Sequence, residues 1–435
     1  MSDPFSGGFD PRMFQNVPLF RELAKVMSWS GGPVNWDLAS QTATALTSEA
    51  STLISDRDSA EMAQAVSTAE LWLDQVTTLP AVEGPARALT DAEWARAASS
   101  SEGLGVYVEP IAATMTEHLS KNLPPELSAL GGPMAQAMGS MGAMLYGVQV
   151  GTIAGNLAGQ LLGTYDLGVP TIDPRTVGTV GDTARRFADD YGFDQTEFRY
   201  WLALREAAHR RMFAGVPWLR ATVAELIGRF AAEADLDPSR MLEQLGGLGL
   251  DPSNPEALQE ALSQPDAFRV EPTAAQRKIL ERLQALVAFV EGWSDTVVRA
   301  AAADKLTALP RIEEAIRRRR AEKGRGEQLL QQLVGLDLKP ADFRLGAAFC
   351  KAVVDARGQE GLDRAWQRQE HLPTPAELHD PSRWLVRMAA AELEADFDDI
   401  AAQLGDLDIE DLDDEADGGE TGDSGDAGDS GDASA

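Results

Sequence analysis

The most informative stretch of this chain is residues 200–213, which read Tyr200-Trp201-Leu202-Ala203-Leu204-Arg205-Glu206-Ala207-Ala208-His209-Arg210-Arg211-Met212-Phe213. Apolar side chains return every three or four positions, and this period predicts an amphipathic helix over residues 196–213. Residues four apart lie on one face of a helix, so Arg205 and His209 are expected to point in the same direction. Any site on this face of the helix therefore includes both side chains.

The spacing of Glu206 and His209 matches part of a zinc-binding helix motif, His-Glu-x-x-His. In that motif two histidines bind one Zn²⁺, and the glutamate acts as a base on the metal-bound water. Arg205 occupies the position of the first histidine, and a guanidinium has no lone pair to give to a metal. Glu-x-x-His alone also arises by chance, so a purely structural role for His209 is the alternative interpretation.

A second charged pair lies in the segment Phe289-Val290-Glu291-Gly292-Trp293-Ser294-Asp295, inside a helix predicted over residues 273–303. Glu291 and Asp295 are four residues apart and share a face. In metallopeptidases of the gluzincin type, a glutamate on a downstream helix is the third zinc ligand, and an acidic residue one turn later orients a histidine. The alternative is an ordinary charged helix face, but the apolar neighbours favour burial of both carboxylates, which then need partners.

Together these segments resemble a large, mostly actinobacterial family of zincin-like metallopeptidases or hydrolases, once catalogued as a domain of unknown function. One branch of that family is linked by genomic context to coenzyme F420 biosynthesis, and the branch that this chain resembles carries Arg-Glu-x-x-His. The resemblance spans roughly residues 30 to 385. It rests on Gly31-Gly32-Pro33-Val34-Asn35-Trp36-Asp37-Leu38-Ala39, Leu204-Arg205-Glu206-Ala207-Ala208-His209 with Val216-Pro217-Trp218-Leu219, Val290-Glu291-Gly292-Trp293-Ser294-Asp295, Arg317-Arg318-Arg319-Arg320-Ala321 and Leu333-Val334-Gly335-Leu336-Asp337-Leu338-Lys339-Pro340.

The resemblance implies a role for each matching site residue. Glu206 is the expected general base, His209 and Glu291 are expected zinc ligands, and Asp295 is expected to orient a ligand. Arg205 has no counterpart among metal ligands, and three interpretations of it stay open. It forms a buried ion pair with Glu206, Glu291 or Asp295 that replaces the charge of the metal; it holds an anionic ligand; or a metal binds His209, Glu291 and a further ligand.

Two functions follow from these alternatives. The first is a zincin-like metal-dependent hydrolase or peptidase with an altered metal site, with zinc as its cofactor. The second is a catalytically inactive protein of the same fold that binds or scaffolds a peptide or protein partner. The sequence leaves open whether the protein is an enzyme, which substrate it takes and its oligomeric state.

The periodicity predicts a mainly α fold, and the resemblance implies a zincin-like helical core. A helical part is expected over residues 11–165 and a site-bearing part over 170–405. Residues 1–10 and the acidic tail 406–435 are too poor in apolar side chains to fold, so disorder is expected there. Further helices are predicted at 38–54, 60–76, 183–190, 216–232, 326–334, 340–357 and 387–404.

Residues 127–165 contain no charged side chain, and seven glycines lie between positions 139 and 163. The segment is therefore either a membrane-spanning helix with a small-residue face or a buried helix that a neighbour approaches closely. The glutamines and Asn156 are costly in lipid, and no basic cluster flanks the segment. These features favour the buried helix.

The formal net charge of -31 argues against generic nucleic-acid binding and against docking on anionic membranes, so neither partner is expected. A basic run at residues 317–320, with Lys323 and Arg325, is interpreted as a solvated helix face. A nucleic-acid patch, or contact with the acidic tail, is the alternative. The single cysteine, Cys350, excludes an intrachain disulfide and a cysteine zinc cluster. With no signal peptide evident, a cytoplasmic location is expected.

Overall fold

The structure is a computed structural model that describes residues 31–47, 54–121, 132–233, 272–322 and 340–405. Its helices, numbered in chain order, are α1 (Trp36–Thr47), α2 (Asp56–Leu73), α3 (Asp91–Ala98), α4 (Gly105–Lys121), α5 (Gly132–Ala158), α6 (Thr183–Tyr191), α7 (Gln195–Gly215), α8 (Leu219–Ala232), α9 (Ala274–Ala302), α10 (Leu309–Ala321), α11 (Pro340–Asp363), α12 (Pro375–His379) and α13 (Pro381–Gly405). Within those ranges, β pairing is limited to isolated bridges. The prediction of a mainly α fold is confirmed.

The chain divides into two compact units, Met1–Pro381 and Ser382–Ala435. The first unit holds α1 to α12 and every residue of the predicted site. The second holds all of α13 except its first residue. The predicted disorder of 1–10 and 406–435, and the predicted helix at 326–334, lie outside the described residues.

The uncharged segment forms α5, which packs along α1. Added Cβ atoms at Gly147 and Gly151 would overlap the carbonyl oxygens of Asn35 and Ala39, so the two backbones meet because these positions have no side chain. This close approach is what the buried-helix interpretation expects. In the part of the chain that the structure describes, no helix is both long and apolar enough to cross a membrane.

The centre of the first unit is α7, which packs against α2 and α9. All thirteen residues from 201 to 213 are buried, so this helix is covered on every side. In turn, α9 packs closely on α11, where an added Cβ at Gly346 would overlap the backbone of Ala288. Two neighbouring central helices therefore carry the two halves of the predicted site.

Several predicted helix bounds differ from the observed ones: α2 spans Asp56–Leu73 rather than 60–76, and α13 begins at Pro381 rather than 387. Two further differences have local reasons. Helix α8 begins at Leu219 rather than 216, because Val216 precedes Pro217 and is extended, with φ -107° and ψ 98°. Helix α11 was expected to end at 357, and it continues to Asp363 only across a kink at Gly358, where φ is 71°. Glycine tolerates that positive φ, so the period of apolar side chains is interrupted at Gly358 although α11 continues beyond it.

A loop of residues 163–181 lies beside the central helix. Parallel bridges join Ala86 to Val177 and Leu89 to Val180, and an antiparallel bridge joins Gly163 to Thr179. These pairings fix the loop against residues 85–89 and hold Thr164 and Gly178 next to α7. The loop therefore forms one wall of the predicted site.

Candidate functional site

The central helix α7 carries five charged or titratable residues between positions 205 and 211, and all five are buried. They are Arg205, Glu206, His209, Arg210 and Arg211. Buried charges are stable only with partners. Adjacent helical residues point about 100° apart, so Arg205 and Glu206 face different neighbours.

Arg210 and Arg211 face α2. Arg210 donates to Glu70 at 2.6 Å, and Arg211 donates to Glu70 at 2.7 Å and to Asp74 at 2.6 Å. The Nη1 of Arg211 also donates to the carbonyl of Leu79 at 2.7 Å. These contacts join α7 to α2, so the two arginines have a structural role.

Arg205 faces α9 and contacts Glu291. Its Nη2 lies 2.9 Å from Oε1 and 2.8 Å from Oε2 of that carboxylate. Arg320, on α10, donates to Oε2 at 2.7 Å, and His209 Nε2 lies 3.0 Å from Oε1. The Glu291 carboxylate therefore has three cationic or imidazole partners and two close contacts on each oxygen.

The charges of these partners control the ionisation of Glu291. Burial alone would raise its pKa, but the guanidiniums of Arg205 and Arg320 and the hydrogen bond with His209 hold the pKa of Glu291 well below its usual range. Asp295, one turn further along α9, lies 3.6 Å from Arg205 and 3.5 Å from Arg320. The cluster is thus a network of two carboxylates and two guanidiniums.

His209 is held at both ring nitrogens. Its Nδ1 lies 2.8 Å from the carbonyl oxygen of Arg205 and 3.3 Å from the Ser294 hydroxyl, and its ring stacks on Tyr165 at 5.3 Å between centroids. The carbonyl of Arg205 and the carboxylate of Glu291 are both acceptors, so both contacts become hydrogen bonds only when each nitrogen carries a hydrogen.

Glu206 points away from this cluster, toward the loop of residues 163–181. It accepts from the backbone N–H groups of Thr164 and Tyr165, each at 3.0 Å, from that of Gly178 at 3.3 Å, and from the Thr164 hydroxyl. Burial raises the pKa of Glu206 above its usual value, although these donors oppose the shift. Three of these four hydrogen bonds are accepted by Oε2 and one by Oε1. The role of Glu206 as a general base stays a prediction from the resemblance.

The family's zinc ion requires donor atoms with free lone pairs. The Glu291 oxygens accept from Arg205, Arg320 and His209, which uses the roughly four lone-pair sites of a carboxylate. Arg205 stands where the first ligand would be, and no group of three His, Cys, Asp or Glu suitable for a metal occurs among the described residues. The residues present therefore do not fit a zinc ion.

The other histidines do not complete a ligand set at Glu291. His379 is exposed, and His371 is half-buried in a short 3-10 helix, with its Nδ1 3.0 Å from the carbonyl oxygen of Arg364. The side chain of His118 lies outside the described residues.

The structure adds site residues that the sequence interpretation did not include. Arg320 belongs to the basic run that was interpreted as a solvated face. Arg317 and Arg318 are exposed as that interpretation expects, whereas Arg320 is only 18% exposed and binds Glu291. The sequence could have indicated Ser294, because it lies one turn from Glu291 on α9. Nothing in the sequence indicated Thr164.

Comparisons with known proteins agree with the resemblance. The sequence profile of a family described as zincin-like metallopeptidase matches residues 34–385. The crystal structure of a protein from Chloroflexus aurantiacus, described as "a putative hydrolase with a novel fold", is similar with a TM-score of 0.55 and 25% identity, over 82% of this chain and 99% of that chain. No curated protein matches. The profile covers most of this sequence, and the chain belongs to the zincin-like metallopeptidase family.

Proposed function

We propose that this protein is a non-catalytic member of its family, a binding protein in which Arg205 takes the place of the zinc ion. The observation that carries the proposal is the contact of Arg205 with both oxygens of Glu291, the expected third ligand. A fixed guanidinium supplies positive charge to this carboxylate without any metal. The fold then keeps its central helix pair while the chemistry of metal-bound water is lost.

The geometry of Glu206 supports the same proposal. A general base must reach the proton that it removes, directly or through one water. Glu206 is fully buried, and the donors around it belong to the loop of residues 163–181. Its carboxylate serves as an anchor for that loop.

Family membership favours a second candidate, a metal-dependent hydrolase with an altered ligand set. That candidate needs Arg205 and Arg320 to release Glu291 and a further ligand to approach. In either case we place the ligand among peptides or proteins and the protein in the cytoplasm. Family membership supports the first, and a single cysteine that is free and buried, Cys350, is compatible with the second.

Zinc content separates the two candidates. The full chain, purified without a histidine tag and dialysed after zinc loading, is analysed for zinc per chain by elemental mass spectrometry. We expect no stoichiometric zinc in the natural protein. Stoichiometric zinc that is lost in Glu291→Ala would overturn the proposal.

The variant Arg205→His tests the replacement directly, because it restores two histidines at i and i+4 beside Glu291. We expect this variant to gain zinc and to melt at a higher temperature with zinc than with a chelator. Arg96→His, which adds a histidine at an exposed position of α3, is the matched control and should show neither effect.

A further inference from the structure

A cavity of about 240 Å³ lies beside Arg205, between α7, α9, α10 and α11. Its charged lining consists of five arginines and two carboxylates: Arg205, Arg299, Arg317, Arg320, Arg344, Asp295 and Glu313. This excess of positive charge occurs in a chain whose net charge is -31. Such a local concentration of positive charge attracts anions.

Part of the positive charge is already neutralised. Arg299 binds Glu313 at 2.9 and 3.0 Å, and Arg317 pairs with Glu314 outside the cavity. Arg344 is exposed, and it has no hydrogen bond or ion pair with the described residues. Its guanidinium is therefore available at the cavity.

Arg205 contributes an unused donor. Its Nη2 contacts Glu291, but its Nη1 has no hydrogen-bond partner among the described residues and lies 3.6 Å from Asp295. The side chain is only 5% exposed. A buried donor without an acceptor destabilises the folded chain, and an anion that reached Nη1 would remove that cost.

The rest of the cavity lining is apolar. Trp201, Val298 and Phe343 face the same space, and the guanidinium of Arg320 lies 5.0 Å from the ring centroid of Phe343. An arginine stacked on an aromatic ring keeps its in-plane N–H groups directed away from the ring, and those of Arg320 contact Glu291 and Asp295. The volume is close to the lower limit of small-molecule sites, about 300 Å³.

We propose that this cavity binds a small ligand, or the end of a larger one, that carries a carboxylate or phosphate group on an apolar body. Arg205 and Arg344 contact the anionic group, and Trp201 and Val298 contact the apolar body. The inference rests on the proposed function, because it requires Arg205 to be a permanent part of the site. It adds the chemical class of the ligand.

Calorimetric titration of the full chain tests the inference. The probes are benzoate and phenyl phosphate, which distinguish the two anionic groups, and benzyl alcohol, which has the same ring without charge. We expect one of the anions to bind with one site per chain, more weakly at high salt. Benzyl alcohol should bind at least about tenfold more weakly, as loss of a charge-assisted contact predicts.

Two variants locate the binding. Arg344→Gln, at an exposed position, should weaken the better anion about tenfold, as expected for one charged hydrogen bond. Arg205→Lys keeps the charge near Glu291 but removes Nη1, and it should weaken binding similarly. The control Arg96→Gln, at an exposed position of α3, should leave binding unchanged.

Several outcomes would overturn the inference: no binding of either anion, equal binding of benzyl alcohol, or equal effects of Arg344→Gln and Arg96→Gln. If Arg205→Lys does not fold, Arg344→Gln decides. Failure of the proposed function is distinguishable, because it appears as stoichiometric zinc. If the chain binds neither zinc nor an anion, only this inference fails and the proposed function is not contradicted.

Discussion

Arg205 on α7 and Glu291 on α9 form a buried contact in which one guanidinium nitrogen lies 2.9 and 2.8 Å from the two carboxylate oxygens. In the zinc-binding motif, the two positions would both hold ligands of one metal ion. Here opposite charges attract each other directly, so the helix pair needs no ion between its facing side chains. Of the three interpretations of Arg205, the ion pair is the one seen: Arg205 pairs with Glu291, while Glu206 takes no part. Asp295, which was expected to be buried, is 35% exposed and lies 3.6 Å from Arg205.

Removal of the central carboxylate should be strongly destabilising. We expect Glu291→Gln to lower the free energy of unfolding by about 3–5 kcal/mol, because Arg205 and Arg320 lose their buried counterion. Urea denaturation of the full chain measures the change. The matched control is Glu313→Gln, which breaks a more exposed pair with Arg299 and should cost about 1 kcal/mol or less. Equal losses in the two variants would contradict a buried network.

The same carboxylate should make the stability of the folded chain depend on pH in the acidic range. The pKa of Glu291 is held well below its ordinary 4.5 in the folded chain, so folding favours the ionised form. Its contribution is present above pH 4.5 and is lost as the pH falls through the folded pKa. Thermal unfolding between neutral and acidic pH should therefore show a smaller decline in Glu291→Gln than in the natural protein. Identical slopes would argue against the depressed pKa.

Glu206 should affect the loop more than the charge network. In Glu206→Gln, an amide nitrogen meets donors such as Tyr165 N–H, and an unsatisfied buried group costs about 1–3 kcal/mol. We expect faster hydrogen exchange in residues 163–178, with no such change in the exposed control Glu225→Gln. Unchanged exchange would show that the carboxylate does not anchor the loop.

The pH dependence of Glu206 has the opposite sign to that of Glu291. Its folded pKa lies above the ordinary 4.5, so the folded chain binds the proton more tightly than the unfolded chain does. Stability is therefore lost as the pH rises from 4.5 through the folded pKa. Glu206→Gln should remove this loss, which is measured by urea denaturation across that range.

Two glycines of α5 provide a matched pair of substitutions. Gly151→Ala places a Cβ against the backbone of Ala39 and the side chain of Thr42, and we expect it to cost about 1–3 kcal/mol. Gly139 has no atom near the position of an added Cβ, so Gly139→Ala should be neutral or stabilise by about 0.4–1 kcal/mol. Melting temperatures compare the two variants, and similar losses in both would contradict the close packing of α5 on α1.

The sequence by itself determined the two central helices and the spacing of the site residues. The period of apolar side chains located α7 and α9 to within a few residues, since helix periodicity is a local property. Arg205 and His209 share one face of α7, and Glu291 and Asp295 share one face of α9. Both placements follow from the same local geometry. The family resemblance also came from these segments, whereas its F420-linked branch stays a prediction.

Only the tertiary structure decided which partner each buried charge has. Glu206 binds a loop 28 to 42 residues away, and Arg320 reaches Glu291 across 29 residues. Such contacts depend on how helices and loops pack, and local periodicity carries no information about that packing. A run of four arginines looked uniformly solvated for this reason, although one of its members is bonded to Glu291, the carboxylate at the centre of the site.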